Sequence, residues 1–370
     1  KLYIMKKIIL VIFTLLIVDF ISSNLIFKKM GFWHYDKLIN YYWRIPSKIY
    51  HHDLKANIDV VEPWGFNLKK KLITNSLGFR DYTNKKISKF SDKKRLLLIG
   101  DSAIEGAGYD YEYTIGGLLQ KHLEKNYEVL NSAVGSYSPS IYFKKIEYFI
   151  NKGYVFDKAI IFLDPSDVID ELFIKYDDNN NIIVEDKKNV DDKVGSFLVH
   201  NFLTFRTILR FSDSAESLKN FLKLKYKASK KYKKSFFKTT TEDTLFYRMT
   251  HVDRSAWTFD NLLFTNYKEG LEKFEKNLNK LIKLLENNFI DINFVLYPHP
   301  SQIFYEDKYH QSYWIDWANK KNLKTINLYK NFNSTNNRKL ILDTFIFGDL
   351  HWNKNGTEIV FQNLVKNINF

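Results

Sequence analysis

The sequence predicts an α/β fold in which helices cover both faces of a parallel sheet. From Arg95 onwards, short apolar runs of the length of buried strands alternate with segments of helical periodicity. The predicted strands lie at residues 96–100, 127–131, 158–163, 292–297 and 324–328. The predicted helices lie at residues 113–123, 140–151, 309–320 and 356–368. The clearest helical face, in a further segment, consists of Leu271, Phe274, Leu278, Leu281, Ile282 and Leu285. In such sheets a ligand binds beyond the carboxyl ends of the strands.

The composition is that of a globular protein and excludes thiol chemistry. Of the 370 residues, 45% are hydrophobic, which is ordinary for a domain with a buried core. The absence of cysteine excludes disulfides, thiolate metal ligands and a cysteine nucleophile. The net charge of +14 favours an anionic partner such as a membrane surface or an acidic glycan. No nucleic-acid-binding motif accompanies the basic residues, so no nucleic acid partner is expected, and no metal or organic cofactor is implied.

The N-terminus carries a targeting signal. Lys6 and Lys7 precede an apolar run at residues 8–18, and Asp19 then interrupts it. Extended to residue 27, the segment has about 20 residues, the length of a membrane-spanning helix. Residues 6–27 are therefore predicted to form a transmembrane or signal-anchor helix, with a cleaved signal peptide as the alternative. A retained anchor implies a single-pass protein of the cytoplasmic membrane whose main domain is periplasmic or extracellular.

The remaining chain divides into an extension and one main domain. Residues 28–92 are polar and aromatic with few periodic runs, and we predict an N-terminal extension there. Residues 93–370 are predicted to form the α/β domain, with an insertion at about residues 172–265. This insertion holds nine lysines between Lys219 and Lys238. The lysines fit a solvated helix face, and the alternative is contact with a membrane surface.

A serine follows the first predicted strand. Residues 96–102 read Leu-Leu-Leu-Ile-Gly-Asp-Ser, which places Ser102 at a strand-to-helix turn on the edge of the sheet. At such a turn, backbone N–H groups of a helix N-terminus can face a developing oxyanion. Asp101 and Ser102 are also favoured helix caps, so this motif alone fits capping as well as catalysis.

A histidine precedes the last predicted helix. Residues 348–353 read Gly-Asp-Leu-His-Trp-Asn, which places Asp349 beside His351 in a tight loop. Such a pair suits a general base and the carboxylate that orients it, although a polar loop before a helix has similar residues. The two motifs together are much more specific than either alone, and they predict a nucleophile–base pair of Ser102 and His351.

On these motifs the chain resembles SGNH hydrolases, also called GDSL-like lipases or esterases. Residues 100–106 match the first block of that family, Gly-Asp-Ser-x-x-x-Gly, and residues 351–356 match the end of its last block. Residues 75–81 are similar to an Asn-x-x-Gly-Phe-Arg-Asp segment of a membrane-anchored or secreted branch. The resemblance covers about residues 93–170 and 290–370. It implies a flavodoxin-like three-layer α/β/α sandwich.

The resemblance also implies roles for individual residues. Ser102 would be the nucleophile and His351 its base. The family's aspartate lies three residues before the histidine, whereas in this chain Asp349 lies two residues before it. Asp349 is the expected orienting carboxylate in spite of that difference.

The implied oxyanion hole rests on two altered motifs. In the second family block, Ser136 occupies the position of a glycine whose N–H is a donor, and Gly135 is adjacent. The third block, Gly-x-Asn-Asp in the family, reads Asp-Pro-Ser-Asp at residues 164–167, so Ser166 replaces the asparagine donor. The implied donors are therefore Ser102, Gly135 or Ser136, and Ser166.

The expected function is serine-dependent ester hydrolysis or acyl transfer. For a tethered protein of this kind the expected substrates are O-acyl groups on cell-envelope glycans, or otherwise a lipid ester, and this step is an analogy. The alternative is a non-catalytic glycan-binding or assembly protein that retains the fold, which the altered second and third blocks favour. His299, which follows the fourth predicted strand, is expected to be a structural loop histidine.

Overall fold

The chain forms two compact units. The computed structural model describes residues 2–27, 43–64, 68–177, 182–183, 197–198, 201–251, 253–259, 266–307 and 309–370. The sheet unit consists of Trp43–Val184 and Leu245–Phe370, and the helical unit consists of Lys1–Tyr42 and Glu185–Thr244. Residues 185–244 do not belong to the sheet unit, so this segment is shorter than the insertion predicted at residues 172–265.

Two antiparallel hairpins open the sheet unit. Their strands are β1 (Arg44–Ser47) and β2 (His51–Leu54), then β3 (Asp59–Trp64) and β4 (Leu68–Ile73). The sequence prediction placed this region in a separate extension that ends at residue 92, whereas it belongs to the same compact unit as the sheet. The physical reason is a shared core, because apolar side chains of this region such as Leu72 and Phe79 join the hydrophobic cluster of the sheet strands.

The centre of the unit is a parallel sheet, as predicted. Its strands are β5 (Lys94–Ile99), β6 (Tyr127–Asn131), β7 (Lys158–Leu163), β8 (Asp291–Leu296) and β9 (Lys324–Asn327). The five strands lie in the order β6-β5-β7-β8-β9, which is the flavodoxin-like order. Every residue of β7 is buried, so both faces of the sheet are covered. The predicted α/β fold class is thereby confirmed.

Helices occur in both units of the described chain. In chain order they are α1 (Leu2–Ser22), α2 (Ser102–Glu105), α3 (Ile115–Leu123), α4 (Pro139–Asn151), α5 (Asp167–Phe173), α6 (Leu203–Lys231), α7 (Thr241–Thr250), α8 (Tyr267–Asn287), α9 (Pro300–Phe304), α10 (Tyr309–Lys320), α11 (Asn337–Thr344) and α12 (Lys354–Asn367). Helices α4, α5 and α8 pack on one another, and α3 packs on α12. The predicted helical face of α8 is buried, from Leu271 to Leu285.

The helical unit begins with the predicted apolar helix. Helix α1 continues into a π-helical turn at Ser23–Phe27. The segment Met5–Ile26 has a mean hydropathy of 2.4 and is long enough to cross a membrane, and only 6% of its most apolar window is buried. This segment is compatible with the predicted single-pass anchor.

Gly270 lies where α8 packs closely on α5. A Cβ atom added at Gly270 would lie 2.2 Å from the carbonyl oxygen of Val168. Alanine is favoured over glycine inside a helix by about 1 kcal/mol, but this contact with backbone cannot be relieved by a rotamer change. We expect Gly270→Ala to lower the free energy of unfolding by roughly 1–3 kcal/mol, measured by urea unfolding of the full chain in detergent.

The matched control is Lys268→Ala on an exposed position of the same helix. It should leave the unfolding free energy unchanged within about 0.5 kcal/mol. A Gly270→Ala variant more stable than the parent chain would show that helix propensity outweighs the contact.

Candidate active site

The Gly-Asp-Ser motif forms a tight turn between β5 and α2. Asp101 caps the helix, since its Oδ1 accepts the backbone N–H of Ala103 at 3.0 Å. A Cβ atom at Gly100 would lie 2.7 Å from the side chain of Ile104, so the turn has room only for glycine. Ser102 is half-buried, and its Oγ lies 3.0 Å from Asp101 Oδ2. Capping and display of the serine, which the sequence offered as alternatives, therefore occur together.

The structure brings Ser102, His351 and Asp349 into one hydrogen-bonded row. His351 Nε2 lies 2.7 Å from Ser102 Oγ, and His351 Nδ1 lies 2.5 Å from Asp349 Oδ1. The same carboxylate oxygen accepts the backbone N–H groups of Leu350 at 2.6 Å and His351 at 3.1 Å. The unusual two-residue spacing is thus no obstacle, because the loop folds back on the Asp349 carboxylate.

Trp64 of β3 contacts both Asp349 and His351. Its indole Nε1 donates to Asp349 Oδ2 at 3.1 Å, and its ring meets the His351 ring edge-on with centroids 5.2 Å apart. The second oxygen of Asp349 is therefore held as well as the first. Lys70 in the paired strand β4 lies over the Trp64 ring at 5.1 Å.

The charges in the row polarise His351. Burial of its ring opposes the protonated form, but the Asp349 carboxylate outweighs burial and raises the pKa of His351 above its ordinary value. Burial likewise opposes ionisation of Asp349, yet His351 and two backbone N–H groups hold the pKa of Asp349 below its ordinary value. This arrangement stabilises an imidazolium, which is the state of a histidine that has taken a proton from serine.

Glu105, at the end of α2, is the centre of a buried ionic network. Its carboxylate accepts Arg44 Nη2 at 2.8 Å, Lys70 Nζ at 3.2 Å and the backbone N–H of Gly135 at 2.8 Å. Arg44 and Lys70 also pair with Glu62, at 3.1 Å each. Burial opposes ionisation of Glu105, but Arg44 and Lys70 outweigh it and hold its pKa well below the ordinary value. The two hairpins are thus bound by charge to the serine turn.

Arg80 holds the backbone that follows the serine turn. Its fully buried guanidinium donates to the carbonyl oxygens of Glu105, at 2.8 Å, and of Gly106 and Tyr109. The side chain of Asn75 in turn accepts backbone N–H groups of the loop that presents Arg80. These contacts give residues 75–81, noted in the sequence for their resemblance to an anchored branch, a structural role beside Ser102.

The predicted oxyanion donors have a different arrangement from the one expected. The N–H of Gly135 donates to Glu105 in the structure described, so its role as an oxyanion donor stays a prediction. The hydroxyl and the N–H of Ser166 both donate to Asp164 Oδ1 at 2.7 Å, so this hydroxyl is also engaged. Ser136 is exposed and adopts a left-handed φ of 64°. Gly135 itself packs against Ser102, since a Cβ there would lie 3.4 Å from Ser102 Cβ.

Acidic side chains cluster beneath the serine turn. One carboxylate oxygen from each of Asp101, Asp164 and Asp167 lies within 4.8 Å of the others, close enough to share a metal ion. Asp164 Oδ2 already pairs with His299 at 2.9 Å and accepts the Tyr297 hydroxyl at 2.6 Å. Burial and the neighbouring Asp164 raise the pKa of Asp101 to about 6. His299 is thus a buried partner of Asp164. That the reaction needs no metal stays a prediction.

Trp64, Arg44, Lys70 and Glu105 were not predicted from the sequence. Nothing in a single sequence distinguishes a buried charged residue from an exposed one when its partners come from distant segments. The available signal was the position of Glu105 within the first family block, three residues after the serine. That position places its side chain on the short helix that starts at Ser102.

Comparisons with known proteins give similar structures but no similar sequence. No family model matches the chain, and no curated protein matches it. The esterase EstA from Pseudoalteromonas sp. is 10% identical with a TM-score of 0.37, covering 74% of this chain and 96% of its own. A putative lipolytic protein of the G-D-S-L family from Desulfitobacterium hafniense is 11% identical with a TM-score of 0.40, covering 75% and 100%.

A third similar structure is Axe2, an acetyl-xylooligosaccharide esterase from Geobacillus. It is 12% identical with a TM-score of 0.38, covering 76% of this chain and 97% of its own. At such identities and TM-scores, the functional assignment rests on the chain's own side-chain geometry.

Removing the Glu105 charge should destabilise the protein. Glu105→Gln leaves Arg44 and Lys70 buried with one carboxylate in place of two, and loss of one partner from a buried pair costs about 3–5 kcal/mol. The folded-state pKa of Glu105 lies below its ordinary value of 4.5, so this stabilisation is complete above that pH and is lost as the pH falls toward the folded-state value. Urea unfolding at neutral pH and at about pH 4 should show a smaller difference between variant and parent at the lower pH.

The matched control is Glu269→Gln, which removes an exposed partner of Lys273 at 2.8 Å. Such a pair within a helix contributes about 0.2–0.5 kcal/mol. Equal effects of the two substitutions would contradict the central role of Glu105.

Proposed function

We propose that the protein is a serine-dependent esterase or acyltransferase. The observation that carries the proposal is the contact of 2.7 Å between Ser102 Oγ and a His351 ring whose other nitrogen is held by Asp349. This geometry meets the requirement that nucleophile and base lie within hydrogen-bond reach and that a third group orients the base.

The reaction would proceed through an acyl-enzyme. His351 Nε2 takes the hydroxyl proton as Ser102 Oγ forms a bond to the acyl carbonyl carbon. The tetrahedral intermediate collapses, its bond to the leaving oxygen breaks, and the leaving alcohol receives the proton from His351. Water or a second hydroxyl then gives a proton to His351 as its oxygen bonds to the acyl carbon. The bond between that carbon and Ser102 Oγ breaks, the acid or the new ester leaves, and His351 returns the proton to Ser102 Oγ.

Stabilisation of the oxyanion is the least complete part of the site. The backbone N–H of Ser102 opens helix α2, where an N–H group has no partner within the helix. It is the proposed first donor, and the Ser136 N–H is the proposed second. Gly135 and Ser166 would contribute only after exchanging their present partners, Glu105 and Asp164.

We propose O-acyl groups of cell-envelope glycans as the substrate class. The support is the candidate anchor at Met5–Ile26, which would keep the sheet unit near an envelope polymer, and the net charge of +14, which suits an anionic glycan. The anchor would be a single pass through the cytoplasmic membrane, with the sheet unit outside. Hydrolysis and transfer use the same residues and differ in whether water or a glycan hydroxyl is the acceptor.

A non-catalytic glycan-binding protein is the second candidate. The engagement of Gly135 by Glu105 and of Ser166 by Asp164 favours it, because both donors are withheld from Ser102. Reactivity of Ser102 separates the two candidates. An activated serine reacts with a fluorophosphonate, whereas a serine that only caps a helix does not.

Ser102 and His351 should act as one unit. Ser102→Ala and His351→Ala should each lower the turnover of p-nitrophenyl acetate by about 10³-fold or more, and the double variant should be hardly worse than either, because the two groups serve one step. A fluorophosphonate should label the parent chain and fail to label Ser102→Ala. The assay is run with and without a polysaccharide acceptor, so that transfer is seen as acylated glycan.

Exposed residues of the same types serve as controls. Ser312→Ala and His122→Ala remove exposed side chains and should retain full activity and labelling. Full turnover by Ser102→Ala would end the proposal. A parent chain that is neither labelled nor active on esters would favour the glycan-binding alternative.

The pH dependence should report the effect of Asp349 on His351. Only the neutral imidazole accepts the serine proton, so kcat/KM should fall as the pH drops through the raised pKa of His351. Asp349→Asn removes the charge that raises this pKa. It should move the acid limb of the profile to lower pH and lower the plateau by about 10²–10⁴-fold. Asp343→Asn removes an exposed carboxylate and is the control, with no shift expected.

A further inference from the structure

Helix α6 exposes a continuous apolar stripe. Ile208, Phe211, Leu218, Leu222 and Tyr226 are between 43% and 72% exposed. Successive members of this set are three, seven, four and four residues apart. These spacings keep them on one side of a helix. A helix of a globular protein usually buries such a face against a core. This stripe lies open along about five turns of helix.

Lysines run beside the stripe. Lys219, Lys223 and Lys227 are exposed and lie about 60–140° around the helix from Leu222. Lys230 continues the same edge, while the one acidic residue between Ala215 and Lys231 is Glu216. The helix is therefore apolar on one side and strongly basic on the adjoining side.

The start of α6 is hydrogen-bonded to the last two turns of the candidate membrane span. Asp19 of α1 accepts the backbone N–H of Leu203 and that of Thr204, each at 3.0 Å, so it caps α6. The Ser23 hydroxyl accepts the Leu203 N–H as well, at 2.8 Å. The tilted rings of Phe20 and Phe202 pack beside this cap with centroids 5.5 Å apart. All these residues belong to the helical unit.

We propose that α6 is an interfacial helix that lies on an anionic phospholipid surface. Its apolar stripe would enter the boundary between headgroups and acyl chains, and its lysines would meet lipid phosphates. The tether to Asp19 supports this occupant, because α6 then begins beside the last two turns of the candidate span, within about 10 Å of its end. The charge pattern disfavours a second copy of α6 as the occupant, since pairing two such helices would bring their lysine edges together.

The absence of cysteine allows a direct test. The full chain carries Leu222→Cys, labelled with an environment-sensitive fluorophore, in nanodiscs that hold one chain each. In discs of mixed phosphatidylglycerol and phosphatidylcholine we expect blue-shifted emission and quenching by lipids that carry a spin label on the acyl chain. Asn220→Cys, an exposed position on the far side of α6, is the matched control and should show neither effect.

The lysines are tested separately. Each lysine near an anionic surface contributes about 1 kcal/mol to binding. The triple variant Lys219→Gln, Lys223→Gln, Lys227→Gln should therefore lower the ratio of bilayer-bound to free α6 by about 100-fold. High salt or pure phosphatidylcholine should weaken insertion in the same direction. Leu218→Cys repeats the measurement at a second position of the stripe.

Two outcomes would overturn the proposal. Equal emission and quenching at positions 222 and 220 would show that the stripe does not enter the bilayer. A blue shift that appears only when a disc holds two chains would assign the stripe to a second copy. Both readouts are independent of ester turnover, so a failure here and a failure of the proposed catalytic function are distinguishable.

Discussion

The buried carboxylate of Glu105 is the interaction on which the site depends. It lies three residues after Ser102 and joins the serine turn to Arg44 and Lys70 of the hairpins and to the backbone of Gly135. A carboxylate removed from water is costly unless its charges and lone pairs are matched. The matching partners come from three separate parts of the sheet unit, so the position of the serine is set by regions far from it in sequence.

Much of the fold and the reactive pair could be predicted from the sequence. The five strands are short apolar runs because parallel strands are buried on both faces, and this pattern survives in a single sequence. Ser102 follows such a strand and His351 precedes the last helix, each inside a motif whose residue types serve the turn as well as the chemistry. The glycine at position 100, for example, is required by the side chain of Ile104.

The supporting residues could not be predicted, and the reason is physical. Strands β1 to β4 contain charged residues such as Glu62 and Lys70 that are fully buried, so their sequence has the composition of an exposed extension. Burial of these charged residues depends on partners that are distant in the sequence, and such pairing produces no periodic pattern in the sequence. The same limit applies to Gly135, which was a candidate donor because it is adjacent to Ser136 in a family block. Its N–H donates to Glu105, a partner that lies 30 residues away in the sequence.

The single hydrogen of the Ser102 hydroxyl has a consequence for Asp101. Ser102 Oγ lies within hydrogen-bond distance of both His351 Nε2, at 2.7 Å, and Asp101 Oδ2, at 3.0 Å. A hydroxyl donates once and accepts through its lone pairs. When its hydrogen points to His351, an ionised Asp101 would face those lone pairs without a shared proton. The Asp101 carboxylate and the His351 imidazole therefore compete for one hydrogen, and the Ser102 hydroxyl must turn from Asp101 to His351 before its proton can be transferred.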